Sequence, residues 1–248
     1  MSLMKTAVAV VAAMSISASA YAAGETVLVA GATGKSGVPL VKILAAQGYK
    51  VRAMVRDKAK AGDMGKGVEV VEGDVTKPET LGAALKGATF VISTIGATSP
   101  APPNNPENVD FKGIANLVDA AKAAKVKHFV LESSIGAGNA SPDMPLNKMF
   151  GMVLLWKGKG EDHLRQSGVA YTVVRPGGLA DCELGKVGLQ IAAGSEALMG
   201  RICRSDVGLI MADALTNKDA AGKTIATISD EKAAAGAWKS SWAAVKKD

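Results

Sequence analysis

The sequence predicts an α/β fold: a doubly wound parallel sheet with helices on both faces. Three observations carry this. Apolar runs of strand length alternate with longer segments whose apolar residues recur at helical spacing. The first run, Thr26-Val27-Leu28-Val29-Ala30, is apolar throughout and ends in Gly31, which suits a parallel strand buried on both faces. The spacings fit one crossover helix between successive strands, and such crossovers are right-handed.

The elements run in order along the chain. After the first strand, Val38 to Gln47 reads as a helix stopped by Gly48. Lys50 to Val55 is the second strand and Val68 to Val71 the third, ending in Gly73-Asp74. Pro78 to Leu85 is a short helix with Thr76 as its N-cap. Phe90 to Thr94 is the fourth strand, Val109 to Ala124 a long helix, and Lys127 to Leu131 the fifth strand. Trp156 to Ser167 is a helix stopped by Gly168, and Ala170 to Val174 is the sixth strand, closed by Arg175-Pro176. The Pro- and Asn-rich stretch Ala97 to Asn108, and the Gly- and Asn-rich stretch Gly136 to Pro145, follow strands at the carboxyl edge, where such sheets bind ligands. The chain beyond Pro176 is expected to form a small C-terminal substrate region.

Composition narrows the function classes. The chain has 248 residues, 48% hydrophobic and 21% charged, which is globular rather than disordered. Two cysteines exclude a disulfide framework and a Cys-rich zinc site, and two histidines argue against a multi-histidine metal centre. The net charge of +6 comes from basic residues interleaved with acids, so an anionic small ligand fits better than a nucleic acid.

Met1 to Ala23 reads as a secretory signal. Lys5 is its charge, Thr6 to Met14 its short apolar run, and Ala18-Ser19-Ala20 and Ala20-Tyr21-Ala22 both fit a small-x-small cleavage site. Residues 24–248 would then form a single domain, exported by the general route; the alternative is an Ala-rich N-terminal extension on a cytoplasmic protein. No later window carries 18 consecutive apolar residues, so no membrane span is expected.

The chemistry begins in Gly31-Ala32-Thr33-Gly34-Lys35-Ser36-Gly37, between the first strand and its helix. Glycines spaced by three let the backbone turn sharply and approach a pyrophosphate, while the helix N-terminus offers free N–H groups and partial positive charge. Gly34-Lys35-Ser36 looks like the end of a P-loop, but that motif needs a glycine where Val29 stands. At the end of the second strand an NAD site usually carries an acid. Here Arg56 comes first, followed by Asp57, Lys58 and Lys60, and a guanidinium suits a phosphate, so NADP is favoured over NAD. Asp74 is placed either to reach the adenine edge or to form a turn.

These residues, with Val55-Arg56-Asp57, Gly73-Asp74-Val75, Val126 to Ser134, Trp156-Lys157 and Arg175-Pro176-Gly177-Gly178-Leu179, resemble the atypical short-chain dehydrogenase/reductase superfamily in its NmrA-like, NAD(P)H-binding branch. The resemblance covers nearly all of the chain after Ala23 and includes plant NADP-binding members; flavin and biliverdin-IXβ reductases are more distant. It implies a Rossmann-like fold and particular roles. Gly31, Thr33, Gly34, Lys35, Ser36 and Gly37 would cradle the pyrophosphate, and Arg56 would hold the 2′-phosphate. Asp74 and Val75 would flank adenine, while Thr94, Ile95 and Gly96 would line the ribose and nicotinamide side. Ser133, Ser134 and Lys157 would be the catalytic candidates: the serines would sit near the nicotinamide, where either could orient a substrate oxygen, and Lys157 would bond the nicotinamide ribose; Pro176, Gly177 and Gly178 would close over the carboxamide.

One departure bears on mechanism. Typical catalytic members carry a Tyr four residues before the Lys, as proton donor. Here that position is Val153. Tyr-assisted carbonyl reduction is therefore not supported, whereas hydride transfer to a flavin, quinone or similar planar acceptor is. A non-catalytic NADP-binding scaffold or redox sensor is the alternative, and a nucleotide-sugar isomerase ranks last. Among the remaining residues, His128 reads as a packed strand residue, Tyr171 as core, and His163 as solvated or a proton relay. Cys182 and Cys203 either pair in an oxidising compartment or stay free. Trp238, Trp242 and Val245 share one face of a terminal helix, which docks on the domain or serves a protein partner.

Overall fold

The computed structural model describes residues 24–194 and 198–248; the expected signal segment lies outside the described residues. The chain order is β1 (Thr26–Ala30), α1 (Gly37–Ala46), β2 (Lys50–Val55), β3 (Glu69–Glu72), α2 (Leu81–Leu85), β4 (Phe90–Ser93), α3 (Ile114–Ala123), β5 (His128–Glu132), α4 (Pro145–Met149), α5 (Val153–Gln166), β6 (Tyr171–Pro176), β7 (Gly178–Ala180), β8 (Gly188–Ala193), β9 (Arg201–Cys203), α6 (Arg204–Ala214), β10 (Lys223–Asp230) and α7 (Trp238–Ser241). Eight strands form one sheet in the order β3-β2-β1-β4-β5-β6-β10-β8. All its pairs are parallel except β10 with β8 at the edge. A two-stranded parallel ribbon, β7-β9, stands apart.

The apolar runs are unbroken because both faces of the sheet are covered. Val27 and Val29 point to the layer of α1 and α6, and Leu28 and Ala30 to the layer of α2, α3 and Leu164 of α5. Trp238 and Trp242 are 3% and 0% exposed and complete the first layer, so the apolar face of the terminal segment is used inside the chain.

Local details differ from the sequence reading. The helix expected from Pro78 opens with a 3-10 turn over Pro78–Thr80. Thr76 does not cap it: the Thr76 hydroxyl and amide both donate to Asp74 Oδ1. The long helix expected from Val109 begins as a π-type segment, Glu107–Gly113, whose wider turns carry Asp110. The Trp156 helix starts earlier, at Val153. Beyond Pro176 the structure holds four strands and α6 that the sequence did not predict, and two of those strands extend the main sheet. Cys182 and Cys203 form a disulfide, with Cα atoms 5.5 Å apart, tying the segment after β7 to the start of α6. Among the described residues, no helix is long and apolar enough to cross a membrane and no group of three acids, histidines or cysteines is placed for a metal.

Candidate nucleotide and acceptor site

Sheet order reverses between β1 and β4, leaving a crevice at the carboxyl ends of the strands. The glycine loop sits there, and each glycine has a steric reason. Gly31 holds φ +83°, and a Cβ on it would lie 2.9 Å from Thr94 Oγ1. The Gly34 amide donates to the Gly31 carbonyl at 2.9 Å and closes the turn. A Cβ on Gly37 would lie 2.1 Å from that same carbonyl oxygen. Ser36 occupies the N-cap position of α1 yet makes no cap bond; its hydroxyl donates to Glu132 Oε1 at 3.0 Å. The first-turn amides of a helix have no intrahelical acceptors. Here the Val38 amide donates to the Gly34 carbonyl at 3.0 Å and Pro39 has no N–H, which leaves the Gly37 amide to meet an anion, and the tight loop fits a pyrophosphate close to the main chain.

On one side of the loop lies a cavity of about 160 Å³, bounded by Gly31, Thr33, Gly34, Arg56, Asp74 and Val75 among others. Arg56 is exposed and its Nη1 donates to Asn104 Oδ1 at 3.1 Å. Asp74 takes the turn-forming role through its bonds from Thr76, while lining the same cavity. Val75 is buried against Gly113.

On the other side lies a larger cavity of about 800 Å³. It shares Thr94, Ile95 and Gly96 with the first, so the two form one groove. Its walls include Ser36, Glu132, Ser133, Ser134, Lys157, Pro176, Gly177 and Arg204. Its lip carries Leu146, Phe150 and Met199, at 46%, 48% and 91% exposed. Lys157 Nζ pairs with Asp110 Oδ1 at 2.8 Å, and Asp110 Oδ2 accepts the Ala97 amide at 3.1 Å. Burial disfavours the Lys157 charge, but the carboxylate of Asp110, with Glu132 and Glu161 behind it, outweighs this and holds its pKa above the usual value. Lys157 is thus a fixed cation beside Gly96.

The two serines are committed elsewhere. Ser133 donates to Glu161 Oε1, a fully buried carboxylate that also binds Arg175 and Arg165. Ser134 donates to the Ile135 carbonyl at 3.1 Å. Glu132 points to the opposite face, toward α1, as strand alternation requires. Burial raises its carboxyl to about 7; the Ser36 bond and the charges of Lys157 and Arg204 lower it only in part.

The structure therefore brings the glycine loop, Arg56, Asp74, Val75, Thr94, Gly96, Lys157, the serines, Pro176 and Gly177 onto one groove. Lys35 sits on the loop, 76% exposed at its side chain, 3.8 Å from Asp181. Sequence reasoning missed Glu132, Asp110, Glu161 and Arg204 as site residues. An acid closing the apolar strand Phe129-Val130-Leu131 was a signal for Glu132; Asp110 left none. His163 pairs with Asp119 on α3 and does not line the groove. His128 is buried in β5, and burial lowers its pKa to about 4. Thr172 donates its hydroxyl proton to the Ala220 carbonyl, so His128 Nε2 is the donor in its 2.9 Å bond to Thr172. Tyr171 donates to Asp248 at the outer face; burial first, and then that carboxylate, push its phenol up to about 12.

Fold and groove together define a Rossmann-like nucleotide-binding protein. Residues 31–218 match the NAD(P)H-binding family model, and the chain belongs to that family. It is 40% identical over 173 residues to the chloroplast protein TIC 62 of Pisum sativum, covering 62% of this chain and 32% of that protein. The match thus spans about a third of TIC 62. It is 32% identical over 239 residues to sanguinarine reductase of Eschscholzia californica, covering 80% of this chain and 86% of that one. The oxidoreductase ylbE of Lactococcus lactis superposes with a TM-score of 0.71 at 23% identity, over 84% of this chain and 92% of that one, a likeness of fold. The family is one of NAD(P)H-binding oxidoreductases.

Proposed function

We propose that this chain is an NADP(H)-dependent reductase that passes hydride to a planar acceptor such as a quinone or flavin. The observation carrying this reading is the single groove, with a guanidinium at its narrow end and an apolar lip beside a fixed cation at its wide end. In this reading the loop from Gly31 to Gly37 holds the paired phosphates, and Arg56 selects the 2′-phosphate by a charge-assisted fork. Lys157, oriented by Asp110, bonds the nicotinamide ribose. A bound dihydronicotinamide supplies the hydride. Leu146, Phe150 and Met199 offer an apolar surface to a flat ring, and the resemblance to a reductase over most of both chains supports this class.

A second reading, an NADP-binding sensor without turnover, is favoured by Val153 in the Tyr position and by the committed hydroxyls of Ser133 and Ser134. Mixing purified protein with NADPH and a panel of quinones and flavins separates the two. Loss of NADPH absorbance supports the reductase; tight binding with no consumption supports the sensor.

We read residues 24–248 as one domain, since β8 and β10 from the C-terminal third join the main sheet. Export is the favoured address, because a Cys182–Cys203 bond persists in an oxidising compartment. A native N-terminus near Tyr21 to Gly24 by mass spectrometry would support it, and an intact Met1 would count against it.

A further inference from the structure

The groove contains a proton problem. Along its walls the hydroxyl of Ser36 donates to Glu132, that of Ser133 to Glu161 and that of Ser134 to a main-chain carbonyl. Thr94 Oγ1 lies 3.2 and 3.3 Å from the Ala30 and Gly31 carbonyl oxygens, its acceptors. Lys157 is locked on Asp110 as a cation and is a poor acid. Among the described residues, one titratable proton source is left on the wall, Glu132.

The surroundings of Glu132 suit a neutral carboxyl. It is 6% exposed at the end of β5 and lines the wide cavity. The two cations nearest it already have carboxylate partners: Lys157 of α5 is paired with Asp110, and Arg204 at the start of α6 with Asp181. Lys35 of the glycine loop also leans on Asp181. Among the described residues Glu132 itself joins no ion pair. Its Oε1 accepts from Ser36, so in the neutral form the proton resides on Oε2. With burial lifting the carboxyl to about 7, a large share of molecules carry that proton at neutral pH.

We propose that Glu132 is the proton donor of this groove, taking the role that Val153 cannot fill, and that the acceptors it serves are those whose reduction leaves an anionic oxygen or nitrogen. This rests on the hydride-transfer reading above. The acceptor gains a hydride at one end of a conjugated C=O or N=N system as its π bond breaks. The anionic heteroatom at the other end takes the proton from Glu132 Oε2. The carboxylate left behind is held by the Ser36 hydroxyl and faces Lys157 and Arg204, and bulk water reprotonates it. The hydride donor leaves as the oxidised nicotinamide, so electrons and protons balance. A cationic iminium acceptor becomes neutral on hydride addition and has no use for this proton.

The test compares Glu132→Gln with the wild type, a near-isosteric change that keeps an oxygen for Ser36. Oxidation of NADPH is followed with 2-methyl-1,4-naphthoquinone and with N-methylacridinium. The expected result is a fall in the quinone-to-acridinium rate ratio on the order of 100-fold, and a quinone rate in the wild type that declines with pH around 7. Fluorescence of bound NADPH checks that the variant's cofactor site is formed. Independently of turnover, carbon NMR of glutamate-labelled ligand-free protein should show one carboxyl titrating near 7 that is missing from the variant. An unchanged rate ratio, or no such carboxyl, overturns the proposal. Reduction of neither acceptor by the wild type overturns the hydride-transfer reading, and this proposal with it.

Discussion

The same substitution, glycine to alanine in a helix, should have opposite consequences at Gly37 and Gly82. Neither position needs a positive φ, so the difference is purely one of space. At Gly82, exposed in α2, an added Cβ meets nothing within 4 Å. Gly82→Ala should therefore gain up to about 1 kcal/mol from helix propensity and reduced unfolded-state entropy. At Gly37 the added carbon would lie 2.1 Å from Gly31 O, 2.8 Å from Ala32 Cα and 2.9 Å from Ala32 C. Ordinary contact begins at 3.4 Å, so α1 must back away from its loop by more than an ångström. All three obstacles are main-chain atoms and cannot rotate aside. Overpacking of this kind costs about 1–3 kcal/mol, which outweighs the propensity gain. For a chain this size, 1 kcal/mol moves the melting temperature by roughly 2–4 °C. Gly37→Ala should melt roughly 2–8 °C below the wild type, a net loss of about 1–2 kcal/mol, and Gly82→Ala a few degrees above it. In the proposed reading the displaced start of the helix faces the phosphates, so Gly37→Ala should also weaken NADPH binding at least about tenfold, or 1.4 kcal/mol, with Gly82→Ala unchanged. Scanning calorimetry and a fluorescence titration measure both quantities. A Gly37→Ala protein that melts no lower than wild type and binds NADPH as well would refute the steric account of the loop.

Three other outcomes are expected of the same structure. Removing the guanidinium in Arg56→Leu should raise the Kd for NADPH roughly 10- to 150-fold, the worth of a charge-assisted hydrogen bond, and leave NADH binding nearly unchanged; equal losses for both would show that Arg56 does not read the 2′-phosphate. Reducing Cys182–Cys203, which closes a loop with a sequence separation of 21, should cost about 3 kcal/mol by chain entropy. That corresponds to a fall in melting temperature on the order of 6–12 °C, and indifference to dithiothreitol would mean free thiols. His128 is held neutral in the fold, with a pKa of about 4 against 6.5 for the free side chain. The unfolded chain therefore binds its proton first. Stability should be intact above about pH 6.5 and should fall by about 3 kcal/mol as pH drops toward 4; His128→Gln should flatten that part of the urea-unfolding profile.

Much of the fold was legible because its signals are local. Strands buried on both faces read as unbroken apolar runs, and Gly48 and Gly168, both at positive φ, punctuate the helices as stops. The glycine loop was legible for the same reason: Gly34 and Gly37 answer to atoms of Gly31 and Ala32 within a few residues of themselves, and Gly31 holds a positive φ, although the atoms that crowd it belong to distant Thr94 and Ile95. The C-terminal third was not legible. β8 acquires its strand character by pairing antiparallel with β10, more than thirty residues on, and β7 and β9 are three-residue strands that exist only as each other's partners. The wide half of the site was hidden in the same way. Ser133 looked free as a letter in Leu131-Glu132-Ser133-Ser134, but α5, arriving from further along the chain, supplies Glu161 to take its proton. Asp110 is an ordinary helical acid until α5 sets Lys157 against it.

The sequence by itself therefore determined the layered α/β architecture, the tight glycine loop and the basic residue at the end of β2, since each depends on backbone geometry and on side chains near in the chain. Only the tertiary structure decided which protons are free in the groove, because a hydroxyl's or carboxyl's state is set by partners tens of residues away and by how much water they exclude. That is why the proton donor proposed here is Glu132, while the Ser133 hydroxyl is already donated to Glu161.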